Sequence, residues 1–161
     1  MKIPFTSQIQ KIGNATKKKM RKSDKVIFIN GRFLTQQITG VQRYSREIIS
    51  AIDGLIDAGE IRLPKNLNLI CLTPKQPIID PSWKNIKIEQ VGIFKNNLWE
   101  QIDLPFFVNN NPLFSPANIA PLLAENQIAT FHDTSVYALP DAYSFLFRLK
   151  YRIIFKFVGK K

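Results

Sequence analysis

The chain has 161 residues with one His, one Cys and a formal net charge of +11. This length suits one domain with a substantial core, and 45% hydrophobic and 22% charged residues are typical of a globular protein. No apolar run is long enough to span a bilayer, and the early apolar stretch VIFIN is too short for a signal-peptide core. One His and one Cys cannot supply a zinc site, so we expect no metal. The single Cys71 excludes an intrachain disulfide and fits a reducing compartment, the cytoplasm.

The positive charge is concentrated at the two ends of the chain. Residues 1–25 contain eight Lys or Arg and one Asp, and residues 148–161 contain six Lys or Arg and no acid, whereas residues 26–147 carry nine basic and eleven acidic residues. Nucleic-acid-binding domains usually carry their charge on a folded surface, so we rank a nucleic-acid partner last. We interpret residues 1–24 as a flexible basic arm. Contact of the basic ends with an anionic membrane leaflet is the open alternative.

Five apolar segments predict β-strands. They are Val26–Asn30, Leu67–Leu72, Ile86–Val91, Leu113–Ser115 and Ile128–Phe131. Because helical segments alternate with them, residues 25–161 are predicted to form an α/β domain, a Rossmann-like parallel sheet of about five strands with helices on both faces. Right-handed crossovers would then bring the loops 31–40, 115–121 and 132–140 to one edge of the sheet, where ligands of such folds bind.

The first helix is predicted from apolar residues at spacings of three and four from Val41 to Leu55. Thr39 and Gln42 offer a capping box at its start, and Gly54 and Gly59 are placed to end it. A second helix is predicted through Trp99 and Ile102, capped by Asn96 or Asn97 and kinked or ended near Pro105.

The third helix is predicted over residues 142–158. Arg148, Arg152 and Lys156 recur every four residues among many apolar side chains. This pattern favours a helix that is buried on most sides with one basic edge exposed. A helix lying on an anionic bilayer is the alternative.

Two motifs carry the main candidate chemistry. Gly40-Val41 opens the first helix, whose unpaired N–H groups and partial positive charge suit a diphosphate, and Arg43 lies on the same turn. His132 and Asp133 follow an apolar strand and can hydrogen-bond to sugar hydroxyls. An ordinary turn glycine and a structural histidine are the competing interpretations. Arg46 lies on the first turns of the same helix and is interpreted as a solvated residue of its exposed face, whereas Arg43 could reach a phosphate or be solvated.

Two further residues are candidates for lining a cleft or for contact with an acceptor, that is, a molecule to which a group would be transferred. Glu100 lies in the helix segment LWEQIDLP, where it could cap a loop or meet an acceptor, while Trp99 is expected in the core. Asn118 lies in the loop SPAN, where turn chemistry explains it equally well.

Four segments together resemble the N-terminal half of retaining glycosyltransferases of family 4, which have the two-domain GT-B fold. They are ITGVQRYSREII from Ile38, LWEQIDLP from Leu98, LFSPANIAPL from Leu113 and IATFHDTSVYALPDAYSFLFRLKYR from Ile128. The resemblance covers residues 26–152 in family order. It implies that Gly40-Val41 faces the diphosphate of a UDP- or GDP-linked sugar donor and that His132 contacts the donor sugar. Transfer in the family is thought to occur on one face of the sugar, with the departing phosphate taking the proton, so His132 is assigned to positioning.

The resemblance also implies what surrounds this domain. Family members continue to a second Rossmann-like domain that carries most nucleotide contacts, and its paired glutamates and Lys/Arg pair have no counterpart among the 161 residues. We therefore expect an N-terminal fragment that does not transfer sugar alone, for which a separate chain could supply the second half. The expected partners are a nucleotide sugar and a glycan or lipid-linked acceptor, in the cytoplasm or at the inner membrane face. No cofactor is expected, and a non-enzymatic membrane- or partner-binding module is the alternative function.

Overall fold

The structure, a computed structural model, describes residues 24–133, 135–138 and 140–158. The predicted basic arm lies outside the described residues except for Asp24. The elements in chain order are β1 (Lys25–Asn30), a 3₁₀ helix (Gly31–Thr35), α1 (Gly40–Asp57), β2 (Leu67–Thr73), β3 (Ile86–Gln90), α2 (Asn96–Leu98), a π-helical turn (Trp99–Asp103), α3 (Leu104–Val108), β4 (Leu113–Ser115), β5 (Gln127–Ala129), α4 (Ser135–Ala138), a second 3₁₀ helix (Pro140–Ala142) and α5 (Phe145–Val158).

The five strands form one parallel sheet in the order β3-β2-β1-β4-β5. This confirms the predicted α/β Rossmann-like class, and each predicted strand is present. The chain moves outward from β1 to β2 and β3 and then returns to the other side of β1 to form β4. The strand order therefore reverses between β1 and β4. In open parallel sheets, the crevice at the carboxyl ends of the strands at such a point is the usual ligand site.

Side chains alternate along each strand, so both faces of the sheet are apolar, and helical segments cover both of them. Val26 and Phe28 of β1 pack with Trp99, Leu104 and other apolar residues from the segment 96–108. The intervening Ile27 and Ile29 face the opposite layer, in which α1 contributes its buried residue Ile49. The crossover from β1 to β2 and the crossover from β3 to β4 run in opposite directions, so their right-handedness places the two helical segments on opposite faces.

Helix α1 begins as the sequence predicts. The backbone N–H of Thr39 donates to Oε1 of Gln42 at 3.3 Å, the reciprocal half of a capping box. The helix ends at Asp57, two residues before Gly59, whose φ of +77° favours glycine. Gly54 lies inside the helix, so the prediction that it ends α1 is wrong.

The segment 96–108 differs from the predicted second helix. Lys95 occupies the cap position instead of Asn96 or Asn97, and helical turns continue through Pro105 to Val108. The change to π geometry at Trp99–Asp103 precedes the proline, which lies at the start of α3. Pro105 therefore does not end the segment, which continues to Val108.

Helix α5 differs from its prediction in burial. It begins at Phe145, and of its described side chains only Ile154 and Val158 are buried. Leu146 is 75% exposed and Phe145 is 67% exposed, so the expected burial on most sides is wrong. Within the described residues, no helix combines the length and apolar character that crossing a bilayer requires.

Candidate functional site

A cleft of about 260 Å³ opens at the carboxyl ends of β1 and β4, where the strand order reverses. We call it the switch-point cleft. Residues from the loops after both strands, the start of α1, the π-helical turn and α5 surround it. Its lining consists of Asn30, Arg32, Phe33, Gln36, Thr39, Val41, Gln42, Glu100, Ala117, Asn118, Ile119 and Tyr151. Most of these side chains are polar, and the one cation and one carboxylate among them balance, so the cleft suits a ligand with many hydroxyl groups.

A buried polar network forms the floor of the cleft. Glu100 is 1% exposed, and its Oε1 accepts a hydrogen bond from Nδ2 of Asn30 at 2.6 Å. Its Oε2 accepts from Nη1 of Arg32, also at 2.6 Å. Asn30 in turn accepts from the backbone N–H of Arg32 at 3.3 Å and reaches Oγ of Ser115 at 3.4 Å. The carboxylate charge is therefore buried with a compensating cation and further hydrogen bonds, which is the condition under which such burial is tolerated.

The π-helical turn positions Glu100. Its neighbour Trp99 is fully buried, and the indole Nε1 donates to the backbone oxygen of Val91 at 2.7 Å. The amide of Gln101 donates to the backbone oxygen of Ala120 at 3.1 Å and accepts from the N–H of Leu122 at 3.0 Å. Glu100 thus lies between two side chains that are tied to different loops.

The last residue of the same turn holds a third loop. Asp103 is buried, and its Oδ2 accepts hydrogen bonds from the backbone N–H groups of Ile93 and Phe94 at 2.9 and 2.8 Å. Gly92 precedes them with a φ of +85°, and an added Cβ would meet Asp103. A side chain at position 92 would therefore displace the carboxylate.

His132 fastens the loop after β4. Its ring Nε2 lies 2.8 Å from the backbone oxygen of Pro116, and its backbone N–H donates to Oδ1 of Asn118 at 2.8 Å. A carbonyl oxygen accepts only, so Nε2 carries the proton. The ring of Tyr44, on α1, meets the imidazole edge-on at a centroid distance of 4.5 Å. These contacts are structural, and any contact with a sugar hydroxyl would use Nδ1.

Tyr151 brings α5 to the cleft. Burial raises the pKa of its phenol above the ordinary value, and the negative charges of Asp133 and Glu100 raise it further, while the charge of Arg32 lowers it. Asp133 itself is exposed. The phenol therefore stays a neutral donor and acceptor over the physiological range.

Some of the site residues predicted from sequence line this cleft, and others lie outside its lining. Val41, Glu100 and Asn118 line it directly. Gly40 is exposed beside Val41, and a Cβ built there meets nothing within 4 Å, so the space in front of it is open. Arg43 is exposed on the first turn of α1, outside the cleft lining.

Arg46 differs from its interpretation as a solvated exposed residue. Its guanidinium donates to the backbone oxygens of Leu34 at 3.1 Å and Ile79 at 3.3 Å, and it thereby connects α1 to the first 3₁₀ helix and to the loop after β2. The exposed-face interpretation of Arg46 is wrong.

Sequence reasoning missed Asn30 and Arg32. The pattern that singled out His132 and Asp133, polar side chains directly after an apolar strand, also occurs in Asn30-Gly31-Arg32 after VIFI. Gly31 is required there, because a Cβ would lie 2.7 Å from the backbone oxygen of Leu72 and would also meet Cys71. That close packing turns the chain so that both polar side chains reach Glu100.

No family model, curated protein or solved structure matches this chain. Within the described residues, no group of three or more His, Cys, Asp or Glu side chains is placed to hold a metal ion. The site therefore defines an α/β domain with a polar cleft at its topological switch point, and the resemblance to family 4 glycosyltransferases remains a prediction from sequence.

Proposed function

We propose that this domain forms the acceptor-side wall of the cleft of a retaining, GT-B-type glycosyltransferase, which transfers a sugar from a UDP- or GDP-linked donor to a glycan or lipid-linked acceptor. The observation that carries the proposal is the convergence of the loops after β1 and β4 with the start of α1 on one cleft lined by amide, hydroxyl and carboxylate groups. These groups match the alternating donors and acceptors of a sugar ring. The accompanying apolar residues, among them Val41 and Ile119, provide contact area for its C–H faces.

The start of α1 is the proposed contact for the donor diphosphate. Its first N–H groups have no partners within the helix and carry partial positive charge. Gly40 leaves the approach open, because no atom lies within 4 Å of a Cβ at this position. Binding there would stabilise the negative charge that develops on the leaving phosphate.

The other residues act in this proposal by positioning. His132 holds the loop 116–118 through Pro116 and Asn118, so that Asn118 lines the cleft in a fixed place. Arg32 and Asn30 hold the Glu100 carboxylate at the floor. A rigid constellation of this kind reduces the reorganisation needed when substrate binds.

Binding of sugar nucleotides tests the proposal. We would titrate the ¹⁵N-labelled chain with UDP-glucose, UDP-N-acetylglucosamine and GDP-mannose and follow the backbone amides. The expected result is that at least one donor shifts the amides of residues 40–42 and 117–119. Gly40→Ala should weaken this binding by about tenfold because a methyl group enters the diphosphate path.

The matched control is Gly54→Ala, on the same helix and likewise without an atom within 4 Å of the added Cβ. It should leave the affinity unchanged. Failure of all three donors to shift these amides at millimolar concentration would overturn the proposal, as would equal effects of the two variants.

One observation favours a second function, binding to an anionic membrane surface through α5. Phe145, Leu149, Ile153 and Phe157 are exposed and follow each other every four residues. At about 100° per residue, this apolar stripe borders the stripe of Arg148, Arg152 and Lys156. Arg152 and Lys156 are exposed. An apolar stripe beside cations is the pattern of interfacial helices.

Sedimentation with lipid vesicles tests this second function. The chain should bind vesicles that contain phosphatidylglycerol more strongly than pure phosphatidylcholine vesicles, and Leu149→Ser/Ile153→Ser should reduce the binding. Equal binding to both vesicle types, or no effect of the two serine substitutions, would refute it.

A further inference from the structure

A second pocket, of about 170 Å³, opens beside the switch-point cleft at the carboxyl ends of β1 and β2. We call it the cationic pocket. It is lined by Arg32, Thr35, Gln36, Pro74, Lys75, Lys95 and Asn96. Arg32 and Gln36 line both the cationic pocket and the switch-point cleft, so the two cavities are adjacent.

Three different segments bring cations to this pocket. Arg32 lies in the 3₁₀ helix after β1, and Lys75 comes two residues after the end of β2. Lys95 precedes α2, in the loop whose N–H groups at Ile93 and Phe94 are bound by Asp103. Because that loop is anchored to the buried turn, the backbone carrying Lys95 is held in place before any ligand arrives.

The charge in the pocket is of one sign. Its lining contains three cationic residues and no Asp or Glu. Glu100 compensates Arg32 from the floor of the neighbouring cleft. The two ion pairs found among the described residues are Arg32–Glu100 and Lys84–Asp57, so neither Lys75 nor Lys95 takes part in one. A concave surface lined by one sign of charge concentrates ions of the opposite sign.

We propose that the cationic pocket binds a phosphate or diphosphate group of the acceptor. Lysine ammonium groups bind phosphate as point charges, and side-chain amides such as those of Gln36 and Asn96 supply further donors. The pocket volume suits a compact anion. Because Arg32 and Gln36 border both cavities, one ligand with hydroxyl groups in the cleft and an anionic group in the pocket satisfies both linings. The assignment to an acceptor rests on the proposed function, whereas the binding of the anion does not.

Binding of inorganic pyrophosphate tests the anion site without any sugar nucleotide. Titration of the ¹⁵N-labelled chain at low ionic strength should shift the amides of residues 32–36, 75–76 and 95–97. Lys75→Ala/Lys95→Ala should weaken pyrophosphate binding by about tenfold or more, because it removes the two cations of the pocket that are not in an ion pair within the described part of the chain.

The matched control is Lys25→Ala/Lys65→Ala. Both of these lysines are exposed and lie at the opposite edge of the sheet, at the start of β1 and just before β2. The control removes the same two charges and should leave the affinity nearly unchanged. Equal weakening by the two double variants would show that the overall positive charge is responsible and would overturn the proposal, as would amide shifts confined to other regions.

Vesicles distinguish a soluble from a lipid-linked source of the phosphate. If the chain binds both pyrophosphate and phosphatidic acid vesicles, and Lys75→Ala/Lys95→Ala abolishes the vesicle binding, the acceptor is assigned as lipid-linked. If the chain binds pyrophosphate but not the vesicles, the acceptor is assigned as a water-soluble phosphorylated molecule. No binding of either probe overturns the site. This outcome is separable from failure of the proposed function, because sugar-nucleotide binding is read from residues 40–42 and 117–119.

Discussion

The guanidinium Nη1 of Arg32 lies 2.6 Å from Oε2 of Glu100, although the two residues are 68 positions apart in the chain. This ion pair joins the loop after β1 to the π-helical turn and separates the switch-point cleft from the cationic pocket, since Arg32 lines both. The pair therefore contributes to the stability of the fold and also shapes both candidate binding cavities. The contribution to stability can be measured without knowing the ligand.

Glu100→Gln should lower the free energy of unfolding by about 1–3 kcal/mol, because Arg32 loses its counter-charge while the shape of the side chain is kept. Urea unfolding monitored by tryptophan fluorescence measures the change. Glu47→Gln, which removes an exposed carboxylate on α1, should change stability by less than about 0.5 kcal/mol. A double-mutant cycle with Arg32→Gln should give a coupling energy, and its absence would contradict the role of the pair.

Alanine at the two glycines of the first loop should have opposite outcomes. Gly31→Ala should destabilise the fold by about 1–3 kcal/mol or more, because the methyl group would lie 2.7 Å from the backbone oxygen of Leu72. Gly40→Ala should be neutral or slightly stabilising, because residue 40 is the first residue of α1, where alanine favours the helix, and the added methyl group meets no neighbouring atom. Thermal unfolding of both variants checks this, and a large loss in Gly40→Ala would contradict the observed open space.

Removing the imidazole of His132 should loosen the loop after β4. His132→Ala removes one of the two donors to the carbonyl of Pro116 and leaves only the Ser45 hydroxyl, at 3.1 Å. The loss should cost about 1 kcal/mol and should shift the amide resonances of residues 117–119. Tyr44→Phe keeps the ring that meets the imidazole and serves as the control, with stability nearly unchanged. In the wild type, ¹⁵N spectra should show a proton on Nε2 of His132; a ring protonated at Nδ1 alone would contradict the hydrogen bond to Pro116.

The raised pKa of Tyr151 predicts a loss of stability in alkali. Below about pH 10 the phenol is protonated in both the folded and the unfolded chain. Above that pH the unfolded chain releases the proton first, because burial and the charges of Asp133 and Glu100 disfavour the phenolate in the folded state. Stability is therefore lost as pH rises through the unfolded and then the folded pKa.

Urea unfolding between pH 9 and pH 11 measures this effect. The wild type should lose stability more steeply than Tyr151→Phe, which keeps the ring stacked on Phe147 at 4.6 Å. Identical slopes for the two proteins would show that Tyr151 titrates as it does in the unfolded chain.

The sheet could be predicted from sequence because its strands are short apolar segments bounded by turn residues. The edge shared by the loops after β1 and β4 followed from the handedness of crossovers alone. The capping box at Thr39 and Gln42 is likewise local, since its partners are three residues apart. Interactions between residues that are close in the chain can therefore be predicted from the sequence pattern.

The partners in the cleft could not be predicted, because they depend on contacts between distant segments. Glu100 was a candidate from its motif, but its pairing with Asn30 and Arg32 requires the packing of β1 against the π-helical turn. The sequence of α1 favours the exposed face for Arg46 and leaves Arg43 as a candidate for phosphate contact. Only the fold shows that Arg46 binds two backbone carbonyls while Arg43 is exposed.

The π-helical turn fixes the directions in which four side chains leave the helix axis beside the cleft. Trp99, Glu100, Gln101 and Asp103 each bind a different part of the molecule, so their directions around the axis must all be correct at once. Removing one residue from Trp99–Asp103 would close the wider π turn and change the directions of these side chains relative to one another. Such a deletion would detach several loops together, whereas a deletion in the exposed region 58–62 would shorten a connection and leave those attachments intact.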